Sequence, residues 1–258
     1  MLQTPPYLER IVAFVDILGF GALVSSLSSK PELHERLYSA LTYIKSYRES
    51  SRTGNTAQGN LEISVFSDSI AISSEPLDAF RVIWACGWLH AKLLYSGILT
   101  RGGISVGPTI HESDVLYGEG MLKAHKIESN AAVYPRIVID PELLPRLSMG
   151  IKSNLLGQDS DGLWFVDPFK FDAMPGGAEE LASDGWDPRE VYFEELGRHI
   201  ALAIKEIKQV DHLAKWNWLA GRYRVASEKY SLNRKLNLDT LLKTAKRGTT
   251  TDAEKKRR

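Results

Sequence analysis

Two aspartates stand at the rims of apolar runs. Asp16 lies in Ile11-Val12-Ala13-Phe14-Val15-Asp16-Ile17-Leu18-Gly19-Phe20, and Asp68 in Ile63-Ser64-Val65-Phe66-Ser67-Asp68-Ser69-Ile70-Ala71-Ile72. An unpaired ionised carboxylate is costly to desolvate, so a buried strand that ends in one needs a compensating partner. Two such strands side by side offer hard oxygen ligands to a divalent cation, an arrangement suited to handling a nucleoside triphosphate. Taken singly, either aspartate could do no more than cap a turn. Arg101 brings positive charge to a third strand, beside Gly102 and Gly103, which let a backbone or ligand approach closely. Its other reading is a surface ion pair.

The elements that must position these groups follow from the pattern of apolar and turn residues. Residues 10–20 read as a strand followed by a turn into a helix, with Gly19 and Gly21 as the breakers. Pro31-Glu32 opens a helix over 31–50 with Leu33, Leu37, Ala40, Leu41 and Ile44 at helical spacing. After a polar loop over 51–60 come two short strands joined at Ser67-Asp68. Pro76 opens a helix that runs to about Ser96 and is stopped by Gly97. Strands are expected over 98–107, 136–140 and 163–166, with a helix over 118–130 and long Gly-, Asp- and Ser-rich loops around the last strand. The order β-α-β-β-α-β-α-β predicts a ferredoxin-like, palm-type α+β sheet with helices on one face. Two helices follow, over 188–210 and 211–230. Trp216, Leu219, Tyr223 and Ala226 give the second an apolar stripe expected to pack on the core or on a partner subunit. The expected division is a catalytic domain over 8–185, a C-terminal helical extension over 186–245 packed on the same domain, and a disordered tail over 246–258.

Bulk composition narrows the field. The chain has 258 residues, 25% charged and 43% hydrophobic, with formal net charge zero, which gives no support to a general nucleic-acid or membrane-surface role. Cys86 is the one cysteine, so no intramolecular disulfide or cysteine-rich zinc site can form; in Trp84-Ala85-Cys86-Gly87-Trp88 it reads as a packed thiol. The start Met1-Leu2-Gln3-Thr4-Pro5-Pro6 is unlike a signal peptide, no apolar run reaches membrane-spanning length, and a cytoplasmic location is expected. No two of the six histidines have metal-site spacing, and neither a Gly-x-Ser-x-Gly elbow nor a P-loop is present.

Several segments in this order resemble the class III nucleotidyl cyclases, which convert a nucleoside triphosphate to a 3′,5′-cyclic monophosphate and pyrophosphate. Phe14 to Phe20 is similar to the family's first strand and metal loop, Phe66-Ser67-Asp68-Ser69 to its second metal hairpin, and Arg101-Gly102-Gly103-Ile104-Ser105-Val106-Gly107 to its Arg-x-Gly-Ile-x-x-Gly strand. Tyr117-Gly118-Glu119 and Ala124-His125-Lys126-Ile127-Glu128 match the frame of its catalytic helix. The resemblance spans roughly residues 10–140 and implies two Mn²⁺ or Mg²⁺ ions per site, held by Asp16, Asp68 and the Ile17 carbonyl. It assigns Arg101 to the terminal phosphates and Lys126 to the α-phosphate, where the family has an arginine. It also implies a head-to-tail homodimer whose active sites lie at the subunit interface.

The departures define a subgroup. The purine-reading lysine of the family falls at Ser64, the second base reader at Val115, and the transition-state asparagine at Leu122. In this the chain resembles the single-domain pyrimidine cyclases of bacterial Pycsar antiphage defence, as it does in Ala124 to Glu128 and in Tyr134-Pro135-Arg136-Ile137. That resemblance implies UTP or CTP as substrate and a cyclic nucleotide read by a separate effector; from the charge balance and the short apolar runs, neither nucleic acid nor membrane is expected as a partner. Phe14, Ser64, Tyr43 and Tyr47 join Arg101 as expected substrate contacts, the two tyrosines being one helical turn apart and suited to stacking on a small base. The same two tyrosines equally fit ordinary helix packing. Two other readings stand beside this one: a purine cyclase with an atypical pocket, and a silent nucleotide-binding sensor suggested by Leu122.

Overall fold

Antiparallel pairing brings the two aspartate-bearing segments together. The computed structural model describes residues 6–52, 61–112, 115–170, 187–230 and 237–244, with the side chains of 47–52 and of 244 outside that description. The chain divides into two compact units, Met1–Ala178 and Glu179–Arg258. In the first unit the elements run β1 (Leu8–Ile17), α1 (Phe20–Leu27), α2 (Pro31–Arg52), β2 (Glu62–Phe66), β3 (Ser69–Ser74), α3 (Ala79–Tyr95), β4 (Thr100–Glu112), β5 (Val115–Gly118), α4 (Glu119–Asn130), β6 (Ile137–Ile139), α5 (Met149–Leu155), β7 (Leu156–Gln158) and β8 (Trp164–Val166). The strands form one sheet in the order β2-β3-β1-β4-β6-β8-β7, with β5 paired to β4. Its β2-β3-β1-β4 portion, antiparallel throughout and linked β-α-β-β-α-β, is the ferredoxin-like arrangement, and β4–β6 is a parallel pair. The fold is α+β, a mixed sheet with flanking helices.

Side-chain alternation divides the sheet into two unlike faces. On one, Ile11, Ala13, Val15 and Ile17 of β1 pack with Ile70 and Ile72 of β3, Leu37, Ala40 and Ile44 of α2, and Ile83, Cys86 and Leu89 of α3. This is the core, and burial pushes the Cys86 thiol far up, as an inert packed group requires. The other face carries α4. A Cβ on Gly103 would lie 2.4 Å from the Ala124 carbonyl oxygen, and one on Gly107 would lie 2.9 Å from the Gly120 nitrogen. Glycines on β4 thus let α4 lie directly on the sheet, whereas the sequence pattern had put the helices on one face.

Two stretches differ from expectation. The strand expected over 98–107 continues to Glu112 and is followed by β5. Pro108 is tolerated because β4 pairs β6 only over Gly102 to Ile104 and β5 only from Thr109, so no second neighbour flanks it there. Between β6 and β8, where long loops were expected, the chain forms α5 and β7.

In the second unit, α6 (Pro188–Glu206) is capped by Asp187, whose side chain accepts from the Arg189 N–H, and α7 (Val210–Lys229) and α8 (Leu238–Thr244) follow. The stripe of Trp216, Leu219, Tyr223 and Ala226 is buried; the Tyr223 hydroxyl donates to the Phe193 carbonyl at 3.0 Å, and the two rings lie 5.1 Å apart. The expected disordered tail over 246–258 lies outside the described residues. Among the described residues, no helix is long and apolar enough to cross a membrane.

Candidate functional site

The α4-bearing face of the sheet is polar along one line. In register across four strands lie Phe66, Ser69, Asp16 and Arg101; two residues along the strands lie Ser64, Ala71, Phe14 and Gly103. Asp68 occupies the β2–β3 turn, which Ser67 enters with a left-handed φ of 52°. The Ile17 N–H donates to the Asp68 carbonyl at 2.9 Å, clamping the end of β1 against that turn. Asp16, Ile17 and Asp68 therefore converge at one edge, as their sequence positions led us to expect.

Arg101 sits in this cluster with a carboxylate that sequence reasoning left unassigned. Its Nε lies 2.6 Å from Glu128 Oε1 and 3.7 Å from Asp16 Oδ2. Glu128 is buried on the sheet-facing side of α4, with Ala124 and Gly120 one and two turns earlier. That i, i+4, i+8 series was the available signal. Gly102, next to Arg101, donates its N–H to the Arg136 carbonyl at 3.1 Å, so the Tyr134-Pro135-Arg136 turn buttresses the same strand. The Arg136 guanidinium itself is buried against Asp159, at 2.6 Å, and Asp161.

Charge in the cluster is unbalanced. Burial, then the neighbouring Glu128, push the Asp16 carboxyl from 3.8 up to about 6; Arg101 pulls it back and Asp68 pushes it further. Three carboxylates around one guanidinium leave excess negative charge, which a divalent cation would offset. Among the described residues, no three His, Cys, Asp or Glu side chains form a metal cage. Two carboxylates and a main-chain carbonyl nonetheless suit Mg²⁺ or Mn²⁺, which keep water and phosphate oxygens in their shells. The residues present fit such an ion.

Other expected site residues are placed differently. Lys126 and Leu122, one turn apart, are exposed on the side of α4 roughly opposite Gly120, Ala124 and Glu128, with Leu122 70% exposed. The structure thus does not bring Lys126 together with Asp16 within one subunit. Val115 is exposed on β5. Phe14 lies on the same face as Asp16, its ring edge-on to His125 at 5.2 Å. Tyr43 lies in the opposite layer, on α2, stacked on Trp88 of α3 at 3.9 Å beside Ile44 and Trp84, and is not brought together with the aspartates. The side chain of Tyr47 lies outside the described residues. Ser64 is buried, and its hydroxyl meets His111 Nε2 at 2.9 Å.

No protein-family model matches this chain, and no curated protein matches it in sequence. Among solved structures it is similar to the catalytic core of a rhodopsin-guanylyl cyclase with converted specificity in complex with ATPαS, at 16% identity and a TM-score of 0.44, over 62% of this chain and 96% of that one. It is also similar to a bacterial light-regulated adenylyl cyclase, at 16% identity and a TM-score of 0.42, over 70% of this chain and 99% of that one. At that level the chemistry has to be read from this chain's own residues.

Proposed function

We propose that the chain is a pyrimidine nucleotide cyclase that converts UTP or CTP to the 3′,5′-cyclic monophosphate and pyrophosphate, a second messenger for an antiviral effector. The observation that carries the reading is the gathering of Asp16, Asp68 and Arg101 at one edge of the polar face. In the reaction the ribose 3′-hydroxyl attacks the α-phosphorus, the bond from that phosphorus to the bridging oxygen breaks, the hydroxyl proton is lost and pyrophosphate leaves. Asp16, Asp68 and the Ile17 carbonyl would hold Mn²⁺ or Mg²⁺, which favours the alkoxide and offsets the triphosphate charge. Arg101 presents a fixed guanidinium fork to the terminal phosphates, and Glu128 holds it in place. Lys126 supplies a point charge to the α-phosphate of a second subunit's site, because its own α4 turns it away from Asp16.

Incubating the protein with Mn²⁺ and each of the four triphosphates, then separating cyclic products, tests the reading. Cyclic UMP or CMP is the expected product; a purine product would move the assignment to a purine cyclase. Mixing Asp16→Ala with Lys126→Ala tests the shared site: each mixed dimer keeps one intact site, so activity returns to about one quarter of wild type. Silence of the mixture overturns the shared arrangement. The exposed Leu122, which offers no hydrogen bond where a transition state would need one, favours a second reading as a silent nucleotide sensor. Nucleotide binding without any cyclic product would support it.

A further inference from the structure

The proposed cyclisation leaves one proton without an acceptor. The ribose 3′-hydroxyl gives up its hydrogen beside Asp16, yet every carboxylate there is already committed. Asp16 and Asp68 hold the cation in the reading above, and Glu128 is buried and ion-paired with Arg101 at 2.6 Å. Arginine only donates. His90 is buried in the core against Thr100, and His111 is held between Ser73 and Ser64.

His125 is placed differently. An α-helix turns about 100° per residue, so His125 lies about 60° round from Glu128, on the flank away from Ile127. Ile127 lies against Gly103 of β4, whereas His125 meets Phe14 of β1, ring edge-on at 5.2 Å. Phe14 and Asp16 are alternate residues of one strand and share its face, about 7 Å apart. The imidazole is exposed, and among the described residues its nitrogens have no hydrogen-bond or ion-pair partner. The charged groups on this side are Glu128 on α4, Asp16 and, further along, Arg10 on β1, Arg101 on β4, and Asp68 in the β2–β3 turn. Of the other strands against α4, β5 brings Tyr117, stacked on Tyr7, and β6 is Ile137-Val138-Ile139.

We propose that His125 is a catalytic residue of its own subunit's site, the base that takes the 3′-hydroxyl proton directly or through one water. Imidazole is the side chain suited to accepting a proton near neutral pH. As the hydroxyl oxygen bonds to the α-phosphorus, its proton passes to an imidazole nitrogen. The bond from phosphorus to the bridging oxygen breaks, and its electron pair leaves with pyrophosphate. The exposed imidazolium then returns the proton to solvent, which resets the base for the next turnover. Consecutive residues of α4 thus serve two sites: His125 its own, Lys126 the partner's. The proposal rests on the cyclase reading above, but not on which base the substrate carries.

The test uses purified protein with Mn²⁺ and whichever triphosphate wild type cyclises, and compares turnover, calorimetric triphosphate binding and melting curves. His125→Gln keeps a polar side chain but cannot take the proton, so kcat should fall about 10²-fold with binding and melting held. Added imidazole should raise the turnover of His125→Ala several-fold, because this flank is open to solvent, and should do nothing for Asp16→Ala. Unchanged kcat in His125→Gln overturns the proposal, as does a deficit that imidazole leaves untouched. So does a deficit accompanied by weaker binding or a lower melting temperature, which is what a packing role against Phe14 would give. Mixing subunits tests the placement: His125→Gln with Lys126→Ala should recover to about one quarter of wild type, and with Asp16→Ala should stay low. The reverse pattern assigns His125 to the partner's site and overturns the placement. Where no mixture recovers, Asp16→Ala with Lys126→Ala included, turnover and rescue decide alone. If wild type cyclises no triphosphate, the cyclase reading and the base fall together; if wild type cyclises and His125→Gln matches it, the base falls alone.

Discussion

On β1, Ile11, Ala13, Val15 and Ile17 face α2 and α3 and are at most 2% exposed, whereas Arg10, Phe14 and Asp16 alternate with them on the side where α4 lies. The same contrast holds on β3, where Ile70 and Ile72 face the core while Ser69 and Ser73 face the other way. Apolar burial on one side gives the sheet its stability. That leaves the opposite side able to carry carboxylates, serines and a guanidinium that would destabilise an ordinary core. One backbone therefore hosts two kinds of surface, and the strand repeat keeps them apart.

The sharpest way to break that separation is to remove one side chain from each face. Asp16→Ala or Asp68→Ala should lower cyclic product by about 10²–10³ or more, with the melting temperature held or raised. Ile72→Ala should do the reverse: a loss of about 2–5 kcal/mol in denaturant unfolding, with turnover per folded molecule retained. If Asp16→Ala lost stability and activity together, the polar face would be carrying the fold as well.

A smaller effect on both properties is expected where the two surfaces meet α4. In Gly103→Ala the new methyl would lie 2.4 Å from the Ala124 carbonyl and 2.7 Å from Ile127 Cβ. Helix α4 would have to lift, at about 1–3 kcal/mol, and would carry Glu128 away from Arg101. Melting curves and turnover should fall in step, and an unperturbed kcat would show that the seating of α4 does not matter to the site.

Much of this contrast was readable in the sequence. Period-two runs with carboxylates at their ends placed Asp16, Asp68 and Arg101, because strand alternation and turn residues are local properties. What escaped was long-range. Glu128 could be seen on a helix, but nothing in its neighbourhood specified Arg101 as its partner. His111 was not placed on any element, since Pro108 and the polar residues after it hid the second half of β4, and its partners Ser64 and Ser73 are 47 and 38 residues away. Strands β7 and β8 are three residues each, too short to show a period. Tyr43 and Tyr47 matched an aromatic pair one turn apart, a spacing that cannot say which layer receives the rings.

Acidity separates the faces more gently. The folded chain holds a proton on Asp16 up to about pH 6, whereas the unfolded chain releases it near 3.8. Between those values the folded state binds more protons, so stability falls as pH rises through that window and the loss is complete above it. After discounting for partial exposure the effect is on the order of 1 kcal/mol. A cation bound to the ionised group acts oppositely, so the gain in melting temperature from Mn²⁺ should grow between about pH 5 and about pH 7. Asp16→Asn should flatten both trends; trends that persist in that variant would assign them to another group.

The smallest effect tests whether aromatic character alone marks a base site. Tyr43 lies over Trp88 with ring planes 22° apart and centroids 3.9 Å apart, in the layer that Leu37, Ala40 and Ile44 anchor to the core. Such a stack contributes about 0.5–1.5 kcal/mol, and half of the Tyr43 surface is exposed, which places its truncation near the lower end. Tyr43→Ala should therefore lower stability slightly and leave the KM for UTP and the UTP-to-CTP ratio where they were. A rise in KM without a change in melting temperature would mean that α2 reaches a nucleotide after all. That nucleotide would have to lie in a second subunit's site, because the sheet itself stands between Tyr43 and the aspartates of its own chain.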